Sequence, residues 1–157
     1  MRIRVATEED LAQISELCKQ LDDYHYRNDP DNFVKATKAQ LNGKDALGRS
    51  IHDPEWLIAV AEDKGVIIGF IKACVFDVKL TFLLPKKYCD VNTIVVDHTF
   101  RKHGVGVALM EAVSSWASSQ EVDRISLEVM EFNTEAMAFY EKLGFTTNSR
   151  YLTKDIV

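Results

Sequence analysis

At Trp56 the hydrophobic period of this sequence changes, and that change fixes the class of fold open to the chain. Before it, Leu11, Ile14, Leu17, Cys18 and Leu21 recur at helical spacing. From Trp56 onward, residues 56–62 and 66–75 are β-rich runs separated by Asp63-Lys64-Gly65, a suitable hairpin turn. Residues 90–96 form another such run and end at Asp97-His98. Helix and strand then alternate. Val105, Leu109, Ala112, Val113 and Trp116 predict a long helix from about Gly104, and residues 124–129 a strand. Ala136, Phe139, Tyr140 and Leu143 predict a further helix, with Gly144 where a helix commonly stops.

The flanks complete the pattern. Residues 2–6 alternate charged and apolar side chains, as a short strand does, and Thr7 followed by Glu8, Glu9 and Asp10 suits a helix start. A second short helix is expected over residues 31–42, a loop over 43–54, where Gly, Ser, Asp and Pro collect, and a final strand over 151–156. The expected order is β-α-α-β-β-β-α-β-α-β. Its central run of consecutive strands implies antiparallel pairing within an α/β (α+β) fold: a mixed, mostly antiparallel central sheet with helices on both faces. No repeat or linker divides the chain, so residues 1–157 are expected to form one domain.

Composition narrows the function classes. A formal net charge of −5 argues against a nucleic-acid-binding surface. Three cysteines, Cys18, Cys74 and Cys89, are widely spaced without a CxxC pair, so neither a disulfide framework nor a metal site is indicated. Cys18 and Cys74 read as buried small hydrophobes. No apolar run has the length of a signal peptide core or a membrane span, which leaves a reduced, cytoplasmic setting as the simplest expectation.

The stretch that carries chemistry is Val95-Val96-Asp97-His98-Thr99-Phe100-Arg101-Lys102-His103-Gly104-Val105-Gly106-Val107. A strand ends, a basic loop follows, and a helix opens with two glycines in its first turn. The first amides of a helix lack intrahelical acceptors, and the helix dipole makes that end positive. Gly104 and Gly106 let an anion approach the backbone, and Arg101, Lys102 and His103 add charge, so a pyrophosphate is the natural occupant. The same glycines would also serve a turn that only shapes a tight strand-to-helix passage. The dinucleotide fingerprint does not fit, because Leu109 stands where its third glycine belongs. The P-loop's Gly-Lys-Ser/Thr is absent from this turn.

Arg101-Lys-His-Gly104-Val-Gly106 resembles the Arg/Gln-x-x-Gly-x-Gly/Ala signature of the GCN5-related N-acetyltransferase (GNAT) family. Asn133-Thr-Glu-Ala136-Met-Ala-Phe139-Tyr140-Glu-Lys-Leu-Gly144-Phe145 resembles that family's closing helix and turn, and Arg4-x-Ala6-Thr7-x-x-Asp10-Leu11 its opening. The resemblance spans essentially the whole chain and implies the acyl-CoA N-acyltransferase fold, with acetyl-CoA in a cleft where two parallel strands splay.

It further implies that the backbone of Ile94, Val95 and Val96 meets the pantetheine arm and supplies oxyanion donors. Arg101, Lys102, His103, Gly104, Val105, Gly106 and Val107 would hold the pyrophosphate, and Asn133, Ala136, Phe139 and Tyr140 would contact the cofactor. Tyr140 matches the tyrosine that protonates the departing thiolate. Where many relatives carry a strand glutamate, this chain has Asp90 and Asn92, so Asp90 is the candidate base. Asp23, Tyr24 and His25 are alternatives, and His52 and His98 read as solvated loop histidines. Cys89 lies close enough to suggest a covalent route, but no base is expected beside it. Asp22, Asp23, Asp29 and Asp31 in the expected acceptor border would suit a cationic amine, or simply be solvated. The implied activity is direct transfer of an acetyl group to a primary amine without a metal, and the family's common homodimer is the expected assembly. A catalytically silent acyl-CoA-binding sensor is the alternative, since the same residues would bind the cofactor.

Overall fold

The structure, a computed structural model, describes residues 1–35, 43–79 and 81–156, with the backbone alone for residues 43–46. Contacts within the chain divide it into two compact units, Met1–Leu127 and Glu128–Val157.

The first unit holds a five-stranded sheet in chain order: β1 (Arg2–Val5), β2 (Trp56–Asp63), β3 (Val66–Val78), β4 (Lys86–Val96) and β5 (Arg124–Leu127). The first three pairings are antiparallel and β4–β5 is parallel, giving the mixed sheet that the run of strands implied. The β2–β3 hairpin turns on Lys64 and Gly65 at φ 51° and 81°. Two left-handed residues give a two-residue loop the twist its strands need. β2 and the middle of β3 are buried on both faces, which is why they read as continuous apolar runs rather than alternating ones.

Helices α1 (Leu11–Asn28) and α2 (Gly43–Ile51) cover one face of the sheet. Ile14, Leu17 and Leu47 pack there with Ala6, Ile58, Val60, Phe70 and Val95. Phe70 points into this cluster, whereas a Cβ on its neighbour Gly69 would meet Val105 and Leu109 of α3 (Val105–Ser119). Successive strand residues face opposite ways, so α3 covers the other face.

Two expectations differ from the structure. The segment read as a loop over residues 43–54 is helical over Gly43–Ile51, because Leu47 and Ile51, four residues apart, both pack on the α1-side core. That packing outweighs the glycine and serine content, and Pro54 lies beyond the helix. Of the helix expected over 31–42, residues 31–35 form turns and irregular chain, and 36–42 lie outside the described residues. Residues 151–156 form no strand: Tyr151 and Leu152 are 92% and 85% exposed, and no described segment pairs with them. A short alternating run does not hold a strand conformation without a ladder partner.

The second unit holds α4 (Thr134–Lys142). Among the described residues, no helix is long and apolar enough to cross a membrane.

The start of α1 is fastened to the sheet by a nearly buried ion pair. Arg4 on β1 donates through both terminal nitrogens to Asp10 at 2.7 and 2.8 Å, and through Nε to Glu62 on β2 at 2.7 Å. Asp10, 5% exposed, also accepts from the Thr7 N–H at 2.8 Å and the Thr7 hydroxyl at 3.2 Å. Thr7 therefore gives its hydroxyl proton to Asp10 as the chain enters the 3-10 turn Glu8–Asp10 ahead of α1. The Arg4 hydrogen bonds hold the Asp10 carboxyl below the ordinary range against the opposing effect of burial. The pair's stabilisation is therefore complete above the ordinary carboxylate value, about 3.9, and is lost as pH falls through the folded value. Arg4→Met should cost about 3–5 kcal/mol at neutral pH and flatten this acid dependence. Urea melts between pH 3 and 7 check both effects, and an unchanged pH profile in the variant would refute the assignment.

Candidate functional site

β4 has unequal neighbours. It pairs with β3 from Lys86 to Val96, but with β5 only from Tyr88 to Val91, opposite Arg124 to Leu127. Beyond Val91 the strand runs on with its β5-side edge uncovered by any described strand. A bulge marks the change: Thr93 faces Lys72 and Val91 faces Ala73, leaving Asn92 as the extra residue. Past the bulge, the Asp97 N–H donates to the Ile68 carbonyl at 2.9 Å. Ladder alternation then turns the peptide groups of Val95 toward β3 and those of Ile94 and Val96 toward the open edge. Val95 is instead a core residue through its side chain.

The open edge leads directly into the basic turn. The 3-10 turn His98–Phe100 is capped by Asp97, whose Oδ1 accepts from the Thr99 N–H at 2.9 Å and the Thr99 hydroxyl at 2.5 Å. Lys102 and Gly104 then take left-handed φ of 63° and 82° and swing the chain into α3. The first bond of α3 runs from the Ala108 N–H to the Gly104 carbonyl at 3.0 Å. The N–H groups of Val105, Gly106 and Val107 therefore have no acceptor within the helix. Nothing lies within 4 Å of a Cβ built on Gly104. Arg101, Lys102 and His103 are exposed around this helix end. Arg101 Nε donates to the Val96 carbonyl at 3.4 Å, and His103 Nδ1 donates to the Arg101 carbonyl at 2.7 Å. The β5-side peptide groups of β4, the first amides of α3 and three exposed basic side chains thus follow one another along the chain, an arrangement whose donors and positive charge suit an anion.

α3 seats closely on the sheet here. A Cβ on Gly69 would lie 2.9 Å from the Val95 carbonyl oxygen and 3.2 Å from Val105 Cγ1. Asp97 also reaches the opposite helix, for its Oδ2 accepts from Gln20 Nε2 on α1 at 2.8 Å. Burial opposes ionisation of Asp97, but the bonds from Thr99 and Gln20 outweigh it and hold the carboxyl below its ordinary range. The sequence marked Asp97 only as a strand end and gave no sign of Gly69 or Gln20. All three act through long-range contacts, and a glycine inside an apolar strand run was the one available signal.

Asp90, half-buried on β4, accepts from the Ser126 hydroxyl on β5 at 3.0 Å and from Asn92 Nδ2 at 3.1 Å. It lies opposite Cys74 and so shares the α1-side face of the sheet. Cys89 is fully buried, and burial pushes its thiol up to about 12, so it is no nucleophile at neutral pH. On α1, burial lowers the imidazolium pKa of His25, whose ring stacks on Phe33 at 4.8 Å. His52 is exposed and bonds Glu8 at 2.8 Å. Asp29 is engaged by Asn32 at 2.9 and 3.0 Å.

In the second unit, Asn133 caps α4 by accepting from the Ala136 N–H at 3.2 Å. Tyr140 is 9% exposed, with Phe139 and Phe145 ring centroids at 5.2 and 5.7 Å. Burial raises its phenol to about 12, so it stays protonated throughout the neutral range. Gly144, at φ 88°, ends the helix where the sequence indicated.

The acetyltransferase (GNAT) family model matches residues 14–145. Acetyl transferase GW6a of Oryza sativa subsp. japonica is 28% identical over 104 residues, covering 61% of this chain and 25% of that protein. The chain thus spans a minor part of the first curated relatives it matches, 25% and 26% of their lengths. A point mutant of the BH1408 protein from Bacillus halodurans superposes at TM-score 0.94 with 25% identity, covering 100% of both chains. Aminoglycoside N-acetyltransferase AAC(6')-Iy, solved in complex with CoA, shares the fold at TM-score 0.74 and 19% identity over 99% of each chain. The chain belongs to the acetyltransferase (GNAT) family.

Gly69→Ala should destabilise the fold by about 1–3 kcal/mol through overpacking. Gly104→Ala, with open space around its Cβ, should cost about 1–2 kcal/mol from backbone conformation alone. Urea midpoints test both, and a neutral Gly69→Ala would mean that α3 does not seat as described.

Proposed function

We propose that this protein is an acetyl-CoA-dependent N-acetyltransferase acting on a primary amine, with residues 1–157 working as one catalytic domain. The observation that carries the reading is the open edge of β4 followed, after one short basic turn, by the free amides of α3. The fold shared with a CoA-bound aminoglycoside acetyltransferase adds support.

The donor's thioester supplies an activated acyl carbonyl, and the chain's own groups do the rest. Ile94 and Val96 would pair with the amide-bearing arm as an added strand does, and one of these donors would stabilise the carbonyl oxygen as charge develops on it. The amides of Val105, Gly106 and Val107, with Arg101, Lys102 and His103, would neutralise the pyrophosphate at the positive end of α3. Asn133, Ala136 and Phe139 would line the donor cleft. Asp90 would take the proton from the incoming ammonium, directly or through water. Tyr140, held protonated by burial, would return a proton to the thiolate as the C–S bond breaks. Direct transfer fits better than a covalent route, because Cys89 is buried and un-ionised. A cytoplasmic homodimer is the proposed working form, from family resemblance.

Calorimetric titration of acetyl-CoA should give tight binding to the wild type and at least tenfold weaker binding to Gly104→Asp, which sets a carboxylate at the start of α3. Absence of binding to the wild type would overturn the reading. Tyr140→Phe should retain acetyl-CoA binding while kcat falls about 10²–10⁴-fold with an accepted amine. Binding with no CoA release from any amine would instead identify a sensor.

A further inference from the structure

On the sheet face beneath α1, Lys72 has no ion-pair partner among the described residues. Lys72 stands on β3, opposite Ile58 of β2 and Thr93 of β4. It is half-buried, with Nζ 4.1 Å from the Trp56 ring centroid. The thiols of Cys18 on α1 and Cys74 on β3 act on its charge, and burial raises the pKa of both. Desolvation lowers the Lys72 pKa in turn. An aromatic face compensates an ammonium only in part, so a half-buried lysine without a counter-ion favours an anion from solution.

The position of Lys72 decides what that anion belongs to. Lys72 is one strand in from the open edge and level with the bulge at Asn92. The opposite face of the sheet is closed here, since Val105 and Leu109 of α3 press against Gly69. An amine that reaches an acyl group on the edge of β4 over the α1-side face passes Lys72 and Asp90. The surrounding acids limit the anion's charge. Asp22, half-buried on α1, bears on Cys18, and Asp90 bears on Cys74. A dianionic phosphate would meet both carboxylates, whereas one carboxylate matches one ammonium.

We propose that Lys72 is a specificity-determining residue that receives a carboxylate of the acceptor, so that the substrate is a small amino-carboxylic acid rather than a polyamine. This rests on the acetyltransferase reading for the transfer step, but not for the binding step. It departs from the cationic acceptor suggested by Asp22, Asp23, Asp29 and Asp31.

The test compares amino acids with their decarboxylated counterparts, phenylalanine with phenethylamine and lysine with 1,5-diaminopentane among them. CoA thiol release and calorimetry in the presence of CoA are measured for the wild type, Lys72→Met and Lys72→Arg, each checked for folding by circular dichroism. The wild type should favour the carboxylate-bearing members by at least about tenfold in kcat/KM, the low end for a hydrogen bond to a charged group. Lys72→Met should bring the ratio near one, chiefly through KM, and Lys72→Arg should keep part of it. Turnover without carboxylate preference, or a preference that survives in Lys72→Met, overturns the proposal while leaving acetyl transfer intact. Carboxylate-dependent binding that needs Lys72, without thiol release, upholds the proposal and removes the transfer reading. No binding by either member of any pair overturns it.

Discussion

The unequal pairing of β4 is the constraint on which the rest of the first unit depends. A strand bonded along its whole length on one side and for four residues on the other cannot lie flat between its neighbours. The extra residue at Asn92 takes up the mismatch, as bulges do, and leaves peptide groups on the free side. An exposed strand edge is ordinarily a liability. Here it is followed, after one short basic turn, by the start of α3, so the two ways a backbone can bind an extended anionic ligand, strand addition and helix N-terminus, succeed one another in the chain.

Packing fixes that alignment more than charge does. The bare Gly69 leaves room for Val105 and Leu109 of α3 against β3, and Val105, the first residue of the helix, is itself buried. The positive end of α3 therefore cannot drift from the end of β4. A net charge of −5 coexists with a basic turn for the same reason: a ligand responds to the local arrangement of Arg101, Lys102, His103 and the free amides, not to the sum over the surface.

Much of this was legible in the sequence where the determinants are local. β2, β3 and the start of α3 announce themselves through period, hairpin turn and paired glycines, and Gly144 is left-handed where a helix stop was expected. The motif residues from Ile94 to Val107 form one continuous stretch of chain, while Asn133, Ala136 and Tyr140 gather around α4 in the second unit. What stayed hidden depends on partners distant in the chain. The bulge at Asn92 exists only relative to Lys72 and Ala73, and α2 is helical because Leu47 and Ile51 find a core laid down by α1 and β2. Lys72 gave no signal, because its isolation is a property of the folded surroundings. The tail beyond Phe145 shows the converse, a strand-like pattern that found no ladder.

Gln20 ties α1 to the corner that follows β4. Its side-chain nitrogen holds Asp97, and its oxygen accepts from the His98 N–H at 3.3 Å, so one residue of α1 grips both ends of the corner between β4 and the basic turn. α1 is therefore fastened at two points, by the Arg4–Asp10 pair ahead of its start and by Gln20 at that corner. Any tilt of its far end must either break the Gln20 bonds or drag the corner with it.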